Sequence, residues 1–307
     1  MKTAEFNQQR IRSFSRDFTE QMGLLREEPY DSELNLLESR IIFELSLYES
    51  LLARDLAAIL SIDKGYLSRV LTGMKKKLLL KTKSNTLDSR EKRLYLTAKG
   101  QKKFREIDGV SRERTLNLLE SLGAQRGLSL VHSLTTAQIA LGKSPIKPSE
   151  VVLRDLEPGD LGWVIGRHGE IYFTEYQWNM DFEVLVAEIA TAFVKKHDPK
   201  YERAWIAELR GVRLGSIFLV HESDQTAKLR ILLVDPMARG LGIGSRLVQE
   251  CISFARKAGY SRIVLWTNSV LTSARKIYQA EGFHLEKEEA HHSFGKKLVG
   301  QYWAKEL

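Results

Sequence analysis

A single cysteine, Cys251, stands in 307 residues, and no Cys/Cys or Cys/His spacing of the zinc-finger kind occurs. Internal disulfides and structural zinc sites of that kind are excluded, and a reducing cytoplasm is expected. No apolar run approaches the ~18 residues of a membrane span, and the N-terminal MKTAEFNQQRIRSFSRDF lacks an apolar signal core. The chain therefore reads as soluble and unexported, with no membrane partner. His291-His292 has no third candidate ligand in view, so no metal is expected. Prolines number only six, and two of them fall in GKSPIKPSE at 142–150. That segment follows a helical stretch and precedes the strand-like VVLRDL, which makes it an interdomain linker.

The chain does carry an uneven charge. Residues 1–143 hold 25 Lys/Arg against 18 Asp/Glu, whereas the remainder holds 22 against 21. Within residues 64–105 there are 14 basic side chains and only two acidic ones, Asp88 and Glu91. Such a field attracts a polyanion. Before the linker the apolar spacing is helical: Leu34, Leu37, Ile41, Leu45 and Tyr48 form one stripe on a helix from about Ser32. Ala53–Leu60 and Lys64–Lys77 then read as two short helices around a tight turn. Leu67, Val70 and Leu71 face inward, leaving Lys64, Tyr66, Ser68, Arg69 and Thr72 for a major groove. Leu78–Thr82 and Lys92–Thr97 read as strands of a hairpin with a polar tip at Lys83–Arg90, presenting Arg90, Lys92 and Arg93 to a minor groove.

The order Asp-Leu-Ala (55–57), Leu-Ser-Arg (67–69), Asp-x-Arg (88–90) and Leu-x-Leu-Thr-x-x-Gly (94–100) resembles the MarR-type winged helix-turn-helix regulators. It departs from that family at Met74–Leu80, where KKKLLL stands in place of the usual glycine. The resemblance implies binding to double-stranded DNA and a homodimer built from terminal helices at about 4–25 and 101–141.

After the linker strands and helices mix, giving an α/β domain and, for the whole chain, an α+β protein of two domains: 1–142, linker 143–150, and 151–307. Helices are expected at about 160–167 and 180–196, and strands at 203–209, 212–220, 228–234 and 262–267. Between two of these lies Arg239-Gly240-Leu241-Gly242-Ile243-Gly244-Ser245, which follows a strand and opens a helix. Glycines there let backbone approach a ligand, and the free N–H groups of the first turn suit phosphate or pyrophosphate. The Gly-Lys-Ser/Thr ending of a nucleoside-triphosphate loop is absent.

The run Leu232-Leu233-Val234-Asp235-Pro236, then Arg239-x-x-Gly-x-Gly, then Ala274-x-x-x-Tyr278-x-x-x-Gly282-Phe283, resembles the GNAT acyl-CoA N-acyltransferases. The resemblance implies a GNAT fold with a mixed sheet, acetyl-CoA as acyl donor, and its pyrophosphate on residues 240–245. It also implies pantetheine along strand 228–234, with an N–H near Leu233 or Val234 polarising the thioester, and Tyr278 protonating the departing thiolate. Where the family often has asparagine this chain has Leu271, and Asn268, one turn earlier, is the candidate to take its place at the cofactor.

The amine acceptor must lose a proton, and Glu208, on a neighbouring strand, is the first choice of base. His168 and Glu175 come next, and with Tyr176 and Trp178 they suggest a pocket for a small cationic or aromatic amine. Three functions fit these residues: a DNA-binding regulator with an acetyltransferase domain, a transcription factor that senses acetyl-CoA without turnover, and a protein-lysine acetyltransferase.

Overall fold

The computed structural model describes residues 2–26, 30, 32–84, 92–142 and 147–307, which form two compact units, Met1–Ser129 and Leu130–Leu307. In the first, α1 (Lys2–Gln21) is followed by α2 (Leu36–Ser46), β1 (Leu51–Leu52), α3 (Ala53–Leu60) and α4 (Lys64–Lys76). Then come β2 (Leu80–Ser84), β3 (Lys92–Leu96) and α5 (Ala98–Leu141). The helix expected from Ser32 begins at Leu36 because Asn35 caps it: its side chain accepts from Glu38 N and Glu38 reaches back to Asn35 N. Tyr48 falls beyond this helix and is exposed. Asp63 caps α4 by accepting from Tyr66 N at 2.8 Å.

Leu67, Leu71 and Met74 of α4 are buried with Ile41, Leu56 and Leu94, while Lys64, Tyr66, Ser68 and Arg69 are exposed. The exit from α4 has no glycine, and Leu78 takes the left-handed conformation at φ 61, at a cost of ~1 kcal/mol. Thr97 Oγ1 donates to Leu78 O at 2.6 Å, and Gly100 lets α5 pass the Leu79 carbonyl, which a Cβ would meet at 2.2 Å. β3 pairs with both β1 and β2. Arg93 is partly drawn back from the surface, its Nη1 donating to Ser50 Oγ at 3.2 Å. Arg90 lies outside the described residues.

The division between the units falls inside α5, ahead of the expected linker, because Ile139 packs on the core of the second unit. Gly123 interrupts α5 at φ 70, ψ 170.

The second unit is a seven-stranded mixed sheet, β4 (Val152–Arg154), β5 (Arg203–Leu209), β6 (Val212–Ser223), β7 (Thr226–Val234), β8 (Arg262–Asn268), β9 (His284–Ser293) and β10 (Lys296–Glu306), in the order 4-5-6-7-8-10-9. Every pairing is antiparallel except β7 with β8. Successive residues pack on opposite faces: Trp205 and Ala207 on one, Ala204 and Ile206 on the other. The first face takes α8 (Ile243–Lys257) through Ile243, Leu247 and Cys251, and Cys251 is buried filler. The other takes α6 (Asp160–Tyr176) and α7 (Met180–Lys196) through Val164, Phe182 and Phe193. α6 runs nine residues past its expected end. Gly169 lies inside it and admits Glu183 of α7, whose carboxylate a Cβ would meet at 2.7 Å. A short α9 (Thr272–Ala280) follows β8. Among the described residues no helix is long and apolar enough to cross a membrane.

Candidate active site

Two irregularities in β7 open the sheet. Opposite Ile217 alone, β7 places both Ile231 and Leu232, a bulge in which Ile231 takes φ 50. A β-branched residue is strained there, and such strain gathers at functional sites. Parallel pairing with β8 ends at Leu229↔Leu265. Beyond that point Arg230–Val234 and Trp266–Asn268 are not paired with each other, and two cavities of about 390 Å³ each lie along them. Tyr172, Leu232, Leu271 and Ala274 belong to the walls of both.

One cavity is bounded by the glycine turn. Leu233, Val234, Arg239, Gly240, Gly242, Ile243, Gly244 and Ser245 line it, joined by Lys276, which the sequence reading missed. Asp235 sets the turn: its N–H donates to Leu214 O, one carboxylate oxygen accepts from Met237 N, and the other accepts from Arg167 Nε at 2.7 Å. Gly240 and Gly242 have φ 81 and 73 with open space where a Cβ would be, so backbone conformation is what requires them. Gly242 caps α8 without a side-chain hydrogen bond, which leaves the first amides of the helix for an anion. Gly244 serves packing as well, since a Cβ would meet Ile277 at 2.6 Å. Leu241 is turned to the core and is not in the wall. Glu175 and Tyr176 stand in this cavity and not in the wall of the other. Glu175 is the partner of Arg239, at 2.8 Å.

The other cavity contains His168, Trp178, Lys228, Arg230, Thr267, Asn268, Tyr278 and Tyr302 among its walls, and no carboxylate among its described residues. Of the pocket expected for a cationic or aromatic amine, the aromatic walls are present, but its charged wall groups are basic. Asn268, assigned to the cofactor from sequence, lies on this side instead, buried with its Oδ1 2.9 Å from His291 Nε2. Tyr278 is buried, and burial pushes its pKa up, followed by the influence of Tyr172 and Cys251. Its hydroxyl is a donor at any physiological pH. Tyr172 belongs to the site through a signal the sequence held: His168, Tyr172 and Tyr176 are four residues apart on one face of α6.

Glu208 lines neither cavity. Its Oε2 accepts from Arg154 Nε at 2.7 Å, and Arg154 also binds Asp160, whose other oxygen takes Arg213 Nε at 2.6 Å. The carboxylate expected to act as base is thus committed to an ion-pair cluster. His168 is instead a neutral imidazole in the wall of the second cavity. Nδ1 lies 2.7 Å from the Val164 carbonyl, which can only accept, so Nδ1 carries the proton and Nε2 is a bare acceptor. Nε2 is buried and has no hydrogen-bond partner among the described residues. Burial pushes the His168 pKa down to about 4.

That shift has a sign in stability. The unfolded imidazole, with a reference pKa of about 6.5, takes up a proton before the folded one does. The contribution is complete above about pH 6.5 and is lost as pH falls toward about 4, at up to ~1.4 kcal/mol per pH unit. All five tryptophans lie in the second unit, so denaturant unfolding followed by tryptophan fluorescence reads it alone. Over that window wild type should lose ~3 kcal/mol more than His168→Leu. Parallel curves would show that the imidazole protonates in the folded state.

Residues 167–283 match the model of the Acetyltransferase (GNAT) family. An uncharacterized N-acetyltransferase of Schizosaccharomyces pombe is 31% identical over 115 residues, covering 36% of this chain and 69% of its own length. An N-acetylaspartate synthetase of Danio rerio is 35% identical over 99 residues, or 32% of this chain and 34% of the relative, so the chain spans about a third of that protein. A GNAT-family acetyltransferase structure from Streptococcus pneumoniae aligns at a TM-score of 0.42 and 17% identity, covering 52% of this chain and 100% of that one. With a glycine turn at the open start of α8, a sheet parted at β7, a family model that spans both, and a relative 31% identical over 69% of its length, the chain belongs to the GNAT acetyltransferase family.

Proposed function

We propose that the second unit transfers the acetyl group of acetyl-CoA to the primary amine of a small molecule, and that the first is a dimeric winged helix-turn-helix that binds duplex DNA. One observation carries the enzymatic reading: two cavities meet at Tyr172, Leu232, Leu271 and Ala274, one walled by an uncapped helix start and the other by a bare base and a tyrosine. When bound, acetyl-CoA supplies the thioester, whose C–S bond breaks as the amine nitrogen forms the new C–N bond. Amides of Gly240–Ser245, with Arg239 and Lys276 beside them, suit its phosphates. The unpaired stretch of β7 offers backbone groups to its pantetheine. His168 takes the amine proton at Nε2, and Tyr278 stabilises the departing thiolate by a hydrogen bond. A cavity of about 390 Å³ bounded by Trp178, Tyr278 and Tyr302 suits a small amine better than a peptide. DNA and acetyl-CoA are both compatible with the cytoplasm.

For the first unit, the exposed Lys64, Tyr66, Ser68 and Arg69 of α4, and the hairpin that follows, support the DNA-binding reading. Lys92 and Arg90 remain part of this reading. Exposed Phe6, Ile11 and Phe14 on α1, and Leu116 on α5, are apolar surface that a second copy would cover.

The direct test of the donor site is calorimetry of full-length protein with coenzyme A. Gly242→Glu adds a carboxylate and a left-handed strain without steric contact. It should weaken binding roughly 100-fold, the sum of a ~1–2 kcal/mol conformational cost and charge repulsion. Unchanged affinity would reduce the loop to a turn.

A further inference from the structure

Arg230 lies on β7 immediately before the bulge, and its side chain lines the acceptor cavity with His168, Trp266, Asn268 and Tyr302. Burial lowers its pKa, the mark of a charge drawn from water, and only Glu222 acts to raise it. Glu222 is itself paired with Lys228 at 2.9 Å. No hydrogen bond or ion pair to another described residue engages the guanidinium. A half-buried arginine without a partner is costly to keep, and its planar fork of donors fits a carboxylate. No acidic side chain in the cavity wall competes for it.

We propose that the amine acceptor carries a carboxylate, as an α-amino acid does, and that Arg230 binds this group while the amine faces the junction of the two cavities at Tyr172 and Leu232. This rests on the acetyl-transfer reading for its chemistry, though not for the binding of the carboxylate. The aromatic walls, Trp178, Trp266 and Tyr302, then cover the rest of the molecule. Peptide amides and decarboxylated amines lack the anion and leave Arg230 unpaired.

The experiment compares thiol release from acetyl-CoA by full-length protein with L-aspartate, L-phenylalanine, L-phenylalaninamide and 2-phenylethylamine. The two carboxylates should be used with kcat/KM about 10- to 100-fold above the other two, the range expected of a hydrogen bond to a charged group. Arg230→Met should erase that advantage through KM and leave the amide and the decarboxylated amine as they were. Coenzyme A binding should be unchanged and thermal stability no lower, because the missing charge had no partner. Arg230→Gln replaces it if the methionine variant does not fold.

Calorimetry with N-acetyl-L-aspartate and N-acetyl-L-phenylalanine reads the site without turnover. Binding by wild type and its loss in the variant support the carboxylate site even if no amine is acetylated, an outcome that would remove the transferase reading alone. Equal use of acid and amide, or carboxylate binding indifferent to Arg230, overturns the proposal.

Discussion

Replacing His168 with leucine is expected to lower kcat/KM for acetyl transfer by ~10²–10⁴-fold, the usual contribution of a general base. The fold should not suffer. Nε2 is buried without a hydrogen-bond partner among the described residues, and exchanging an unsatisfied polar group for an apolar one is neutral or stabilising. Opposite responses of activity and stability separate this role from packing, which would move both downward. Because the imidazole stays neutral above about pH 4, the wild-type pH profile should follow the amine, with activity rising until the acceptor is deprotonated. A leucine variant within about threefold of wild type would hand the proton to solvent. Tyr278→Phe keeps the buried ring and removes only the donor to the thiolate, so it should depress turnover while coenzyme A affinity holds.

The second large effect concerns salt. If Lys64, Arg69, Lys81 and Lys83 of each protomer neutralise phosphates in a dimeric complex, the eight charges give a log–log slope of about −7. Affinity of full-length protein for duplex DNA should then fall about 10⁴-fold between 50 and 200 mM salt. Lys64→Ala or Arg69→Ala should each make the slope shallower by about 0.9 for every phosphate no longer neutralised, without altering the capping of α4 by Asp63. Lys77 serves as an internal control. It pairs with Glu38 at 2.9 Å, so Lys77→Ala should leave the slope nearly unchanged. Binding that is indifferent to salt, or absent from every genomic fragment, would remove the DNA-binding reading.

Elements fixed by local chemistry were legible from the residues. Apolar spacing placed α3, α4 and α8, and the glycine turn announced a helix start open to an anion, since a positive φ and an absent capping side chain are properties of a few neighbouring residues. Asn35 moved the start of α2 by four residues, a shift that its capping box with Glu38 explains. The facing of side chains across strands distant in sequence was not legible. In KLRILLV both neighbours of each position are largely apolar, so alternation cannot say which face Arg230 takes, and one extra residue at Ile231 shifts the register of all that follows.

Glu208 looked like a base until Arg154, 54 residues away, claimed its carboxylate. His168 is proposed as one only because α6 continues through its glycines and buries the ring against Tyr172 and Phe182, which leaves Nε2 buried with no hydrogen-bond partner among the described residues. The sequence by itself determined α3, α4 and α8, the glycine turn and the GNAT motifs, since these rest on short-range hydrogen bonding and periodicity. Which charges are paired and which are left facing a cavity was decided by tertiary packing, because pairing depends on register and burial that no local window contains.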